Sequence, residues 1–116
     1  MSASLRPVLD MLSRQRGVRA SLIVSESDGL VIDSSLRFGQ DGERVAALAA
    51  SVYRKARLSA QAARLGAVTF LQLDAERGRL CVAGGGNDLV IVTVADPAAN
   101  VGLIRVELFK ALEMLA

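Results

Sequence analysis

The residues in this sequence whose type and spacing could support chemistry form four groups. They are the single cysteine Cys81, the run Gly84-Gly85-Gly86 before Asn87, a scatter of aspartates, and the cations Arg54, Lys55, Arg57 and Arg64. Histidine is missing from the chain. Its absence removes Ser-His-Asp and Cys-His nucleophile systems, histidine metal sites and histidine acid–base catalysis together. Cys81 stands between Leu80 and Val82 with no second cysteine to resolve it, so it reads as a core residue rather than a reactive thiol. A lone cysteine forms no intrachain disulfide, and the expected setting is cytoplasmic.

Consecutive glycine amides can cradle an anion. A nucleotide-binding loop, however, leads into a helix and supplies Gly-Lys-Ser/Thr, whereas this run lies between two strand-like segments and continues Asn87-Asp88. It reads as a hairpin turn. Asp28, Asp33, Asp41, Asp74, Asp88 and Asp96 mostly fall at turns or strand ends, where aspartate bonds its own backbone, and no spacing resembles a calcium loop. No residue is assigned as catalytic, cofactor-binding or metal-binding, and the chain is read as non-enzymatic.

The cations share one segment. Glu43 to Leu65 carries Arg44, Arg54, Lys55, Arg57 and Arg64 against the single acid Glu43, has eight alanines, and lacks Gly and Pro. Its helix propensity is therefore high. At 3.6 residues per turn Val45, Leu48, Ala49, Val52, Ala56, Ala60 and Ala63 share a face expected to lie on the core, with Tyr53 at its edge. A second, weaker stripe of Ala47, Ala50, Leu58, Ala62 and Leu65 is interleaved with Arg54 and Gln61. Small side chains allow close backbone approach, so this stripe could pack on its own copy across a two-fold axis. An alanine-rich exposed face is the plainer alternative. The arginines, likewise, suit either an acidic partner surface or a solvated face.

The elements around this helix follow from patterning. Leu5, Val8, Leu9 and Leu12 repeat at helical spacing after Ser4, a candidate cap, with Pro7 tolerated in the first turn. Arg6 and Asp10 inside that pattern argue for a helix rather than a signal peptide. Val18 to Ser25 alternates, and Asp28-Gly29 turns it into Leu30 to Ser35 as a hairpin. Gly66 is the expected left-handed cap of the long helix. Ala67 to Asp74, Arg79 to Ala83 and Leu89 to Ala95 read as three further strands. After Asp96, Pro97 and Asn100 comes a last helix marked by Val101, Ile104, Leu108, Ala111, Leu112 and Leu115. The order is α-β-β-α-β-β-β-α. This describes an α+β domain over residues 1–116 with a five-stranded, mainly antiparallel sheet, the long helix on one face and the terminal helices on the other.

Composition narrows the partners. One domain is expected from 116 residues, and with hydrophobics at 52% but aromatics at only 3% there is no stacking platform for single-stranded nucleic acid. A formal charge of +2 is too small to be diagnostic, and phosphate-backbone binding usually shows a denser basic patch, so no nucleic-acid partner is expected. No apolar run reaches the roughly 18 residues of a membrane span.

Element order, together with "GVRASLIVSESDGLVIDSS", the alanine-rich central helix, its exit "RLGAVTFLQLDAERGRLCVAGGGNDLVIVTV" and the ending "ADPAANVGLIRVEL", resembles the Roadblock family of dynein light chains and bacterial MglB-like proteins. The resemblance implies a homodimer in which the central helices pair and the third strands join edge to edge, bringing Thr69 and Leu71 into the interface with Ala47, Ala50, Arg54, Leu58, Gln61, Ala62 and Leu65. It implies binding to a small Ras-like GTPase, as an activator in the MglB-like branch or as a scaffold elsewhere, with Arg54, Arg57 and Arg64 as partner-facing positions. Likeness to the MglB-like branch argues against an arginine finger. A dimeric adaptor within a signalling or motor complex, leaving nucleotide state untouched, is the alternative function.

Overall fold

The computed structural model describes residues 2–115, with side chains from Leu5 onward. The chain runs α1 (Ser2–Ser13), β1 (Val18–Ser25), β2 (Val31–Leu36), α2 (Gly42–Ala62), β3 (Phe70–Ala75), β4 (Gly78–Gly84), β5 (Leu89–Ala95) and α3 (Val101–Leu115). This is the expected order. The strands form one sheet, β2-β1-β5-β4-β3, and all four pairings are antiparallel.

Period-2 alternation divides the core between the two faces of that sheet. Val90 and Val92 of β5 join Leu22 and Val24 of β1 and Val82 of β4 beneath α2. Ile91 and Ala95, with Ile23, Cys81 and Ala83, meet α1 and α3 through Val8, Leu9, Leu12, Ile104, Leu108 and Ala111. The long helix thus covers one face and the terminal helices the other. Central β1 and β5 are buried on both faces, which is why Leu-Val-Ile-Val-Thr-Val-Ala reads as an almost continuous apolar run.

Local signals place most ends. The Asn100 side chain accepts from the Leu103 amide at 3.1 Å and caps α3, and Asp41 accepts from the Arg44 amide at 3.1 Å and caps α2. Three details differ from the sequence reading. Helix α1 already runs at Ser2, which puts Ser4 inside the helix, and the Ser4 side chain lies outside the described residues. Strand β3 begins at Phe70 rather than Ala67. Helix α2 stops at Ala62, and its left-handed position is Arg64, at φ 57°, not Gly66. The Arg64 amide donates to the Gln61 carbonyl at 3.0 Å and the Leu65 amide reaches back to Ala60 at 2.8 Å, the paired bonds of a Schellman stop. Gly66 is also left-handed, φ 88°, but two residues beyond the cap.

The core face of α2 is a further correction. Ala46, Ala49, Ala50 and Tyr53 are the buried residues, whereas Leu48, expected inside, is 58% exposed. Ala50, expected on the outer stripe, is wholly buried against the sheet. In a helix this rich in alanine the larger side chains dominate a pattern search, yet it is the small ones that let α2 lie close to the strands.

Candidate functional site: the open flank of α2 and the edge of β3

Helix α2 crosses the sheet diagonally. At its start a side chain on Gly42 would meet Leu36 of β2 and Leu22 of β1, while farther along Tyr53 reaches Gly84 of β4. One flank faces the β1–β2 turn. Gly29 lies against Ala47 and Ala50, the Arg54 guanidinium donates to the Glu26 carbonyl at 2.7 Å, and Arg57 pairs with the Glu26 carboxylate at 3.0 Å. The opposite flank, by the 3.6-residue period, carries Val45, Leu48, Val52, Ala56 and Ala63.

That second flank overlooks a corner of the sheet that α2 leaves partly bare. Leu73 of β3, Leu80 of β4 and Val94 of β5 are direct cross-strand neighbours, at the end of the sheet away from the β1–β2 turn. Leu71, one row in, opposes Val82. Leu73 is 41% exposed, and Leu71, Leu80 and Val94 are half-buried. Val45, Leu71, Leu80 and Val94 pack at the margin of the core on the α2 face, and with exposed Leu73 they leave a half-covered apolar strip, or trough, on the β3 side of that face.

The two sheet edges differ in a way that bears on assembly. At the β2 edge Arg6 of α1 reaches over and donates to the Ser34 carbonyl and to the Asp33 carboxylate, both at 3.1 Å, and the pairing slips between Ile23 and Val24. A covering cation and a bulge are ways of blunting an edge. At the β3 edge the Gly84 amide donates to the Thr69 carbonyl, which sets the alternation: Leu71 and Leu73 bond to β4, while Phe70, Gln72 and Asp74 turn their N–H and C=O outward. No backbone partner takes those groups among the described residues.

The basic group sits at the other end of α2, beside a cleft of about 540 Å³ lined by Glu26, Tyr53, Arg57, Val68, Thr69, the three glycines and Asp88. The Gly84–Gly86 run is a strand-to-strand turn, as expected. Gly84 is required there because a Cβ would come within 2.7 Å of Tyr53 Cζ. Asp88, φ 64°, ties this turn to the first hairpin. Its carboxylate accepts from the Ser27 amide at 3.0 Å and from the Ser27 and Ser25 hydroxyls at 2.9 and 3.0 Å. These bonds, Ser27's first, hold its carboxyl below the usual value. Burial pushes the Cys81 thiol and the Tyr53 phenol up, so neither is an activated nucleophile. Among the described residues no three His, Cys, Asp or Glu side chains gather as a metal site, and no helix is long and apolar enough to cross a membrane.

The residues singled out from sequence are thus dispersed. Ala47, Leu58, Gln61, Ala62 and Leu65 are exposed, Leu58 at 57% and Leu65 at 78%, and Ala47 lies beside Gly29 of the β1–β2 turn. Ala50 is in the core. Thr69 is exposed just before β3, and Leu71 lines the trough. Arg54 and Arg57 are brought together by Glu26, while Arg64 stands apart at the helix stop. Glu26 and the row Leu73–Leu80–Val94 escaped the sequence reading, and Asp88 figures there only as a turn residue.

A model of the Roadblock/LC7 domain matches residues 6–95. The chain belongs to the Roadblock/LC7 family. This Roadblock chain is 31% identical over 108 residues to the uncharacterized protein MJ1340 of Methanocaldococcus jannaschii, covering 93% of each. Its fold is shared with MglB of Myxococcus xanthus (TM-score 0.86, 20% identity, 97% of this chain and 85% of that one). It is shared also with the gliding protein MglB of Thermus thermophilus (TM-score 0.84, 22% identity, 98% and 87%).

Proposed function

We propose that this Roadblock chain is a cytoplasmic homodimeric regulator of a small Ras-like GTPase, acting by surface binding and without active-site chemistry of its own. The observation that carries the dimer is the apolar trough beside an unblunted β3 edge. A second copy joined through β3 would satisfy the outward groups of Phe70, Gln72 and Asp74 and bring its α2 alongside Leu48 and Val52, burying side chains a monomer leaves wet.

The interface we propose therefore runs along Leu48, Val52, Ala56, Leu71 and Leu73, with Thr69 at its margin. It departs from the stripe of Ala47, Leu58, Gln61, Ala62 and Leu65, which would instead lie on the outer surface of the paired helices, open to a partner. Family membership supports the GTPase as that partner. Arg54 and Arg57 are held by Glu26, which supports a docking surface rather than a mobile arginine inserted into an active site, and exposed Arg64 and Lys55 would supply its free cations.

The test mixes purified protein with the small Ras-like GTPases of the same organism and follows binding, GTP turnover and nucleotide exchange. Changed turnover or exchange supports regulation. Binding with both unchanged makes the chain an adaptor, and no complex at all overturns the GTPase reading.

A further inference from the structure

We infer that two copies pair β3 in one register, centred on Gln72, and that an ion pair between Arg105 of one copy and Asp74 of the other sets it. This rests on the β3 pairing proposed above and adds the register and the side chains that choose it.

The register follows from the outward groups. Around a two-fold axis, outward residues must oppose outward residues, so the axis passes through a residue of the strand rather than between two. Centring on Gln72 pairs five residues of Phe70–Ala75. Leu71 then faces Leu73 of the second copy on the α2 side, extending the trough across the seam, and Phe70 faces Asp74 on the α3 side. Centring on Leu73 would set Gln72 against Asp74 and Leu71 against Ala75, losing both matches.

On the α3 side stands a cation, Arg105, without a counterion among the described residues. Arg105 is exposed, its Cζ 4.9 Å from the Phe70 ring centroid and 5.5 Å from that of Phe109. None of the ion pairs among the described residues includes it. Stacking on a ring leaves the guanidinium edge free to donate. Directly opposed residues of an antiparallel pair have Cβ atoms about 5 Å apart. A guanidinium parked on Phe70 is therefore beside whatever opposes Phe70, which in this register is Asp74 of the second copy. The Asp74 side chain is 56% exposed, its contact with Arg79 is a long 3.6 Å, and the Gln72 amide that donates to its two oxygens at 3.1 and 3.0 Å brings no charge.

The experiment is sedimentation equilibrium of the full chain and of Arg105→Asp, Asp74→Arg and the double exchange, with circular dichroism to check folding. The inference expects each single variant to raise the dimer Kd roughly tenfold at low salt, since two pairs per dimer are replaced by like charges, and the double exchange to restore it. Should a single variant unfold, the double exchange against wild type, and the loss of salt dependence in Asp74→Asn, still decide the matter. Single and double variants that all dimerise like wild type, while Gln72→Pro gives monomers, would overturn the ion pair and leave the β3 dimer standing. A monomeric wild type would overturn both.

Discussion

The Tyr53 hydroxyl donates to the Val68 carbonyl at 2.6 Å, and in doing so occupies the space that a side chain on Gly84 would need. One phenol thus fixes the distance between α2 and the lead into β3, the two elements that frame the trough. Tyr53 is 3% exposed, and losing its hydroxyl takes the bond from a half-buried Val68 carbonyl. Tyr53→Phe is expected to cost about 1–2 kcal/mol. Gly84→Ala, which must displace the ring, is expected to cost about 2–3 kcal/mol. Urea midpoints measure both.

The same residue gives a pH signature. Burial first, then the Glu26 carboxylate, push the phenol above its ordinary 10.0, with Arg57 opposing. The native state keeps the proton where the unfolded chain would lose it. The stability this group contributes is therefore complete below about pH 10 and is lost as pH rises towards and through the native value. Tyr53 is the single tyrosine and tryptophan is absent, so phenolate absorbance reports this group alone. In Tyr53→Phe the alkaline loss should shrink, while the contribution of Cys81, also raised by burial, persists.

Asp88 should show the opposite sign. With its carboxyl held below the ordinary 3.8 by Ser27 and Ser25, the stabilisation is present above that pH and lost as pH falls through the native value. Ser27→Ala removes the first-ranked of those bonds, so carbon NMR of the side-chain carboxyl should find Asp88 titrating at a higher pH. An unmoved titration would mean that the serines do not hold the two turns together.

Arg64 sits at a left-handed helix stop with φ 57°, a conformation that costs a residue with a Cβ and suits glycine. Arg64→Gly is expected to stabilise the chain by about 0.5–1 kcal/mol and to leave the dimer intact. If Arg64 also supplies a cation to the GTPase surface, the same variant should bind that partner less well. Thermal melts and a partner titration on one sample separate the two roles.

Element order, both layers and the family were legible because they rest on signals that do not depend on tertiary detail: Asp28-Gly29, the β-branched run of β5, Asn100 before α3. The rotation of α2 was not. Its core face is chosen by how closely the backbone can approach the strands, and Ala46, Ala49 and Ala50 win that contest over Val45, Leu48 and Val52 without any hydrophobic advantage a pattern could register. Tyr53 compounds the ambiguity, because its burial depends on Gly84, far along the chain on β4. The site was unreadable for a related reason, since the trough consists of what α2 fails to cover.

That rotation yields a decisive comparison. Leu48 and Leu58 are nearly equally exposed, 58% and 57%, on the same helix, so burial in the monomer cannot distinguish them. Their directions can. By the 3.6-residue period Leu48 lies nearer the flank that carries Val45 and Val52, whereas Leu58 falls nearer the flank that carries Arg54 and Ala47. A glutamate at position 48 would put a charge into the seam between paired helices, and desolvating it without a partner costs several kcal/mol, enough to shift the dimer Kd by at least roughly a hundredfold. A glutamate at position 58 would remain in water and leave Kd almost unchanged, while weakening any partner seated on the outer surface. Sedimentation of Leu48→Glu and Leu58→Glu tests this directly. Monomers from Leu58→Glu and dimers from Leu48→Glu would return the interface to the stripe of Ala47, Leu58, Gln61, Ala62 and Leu65.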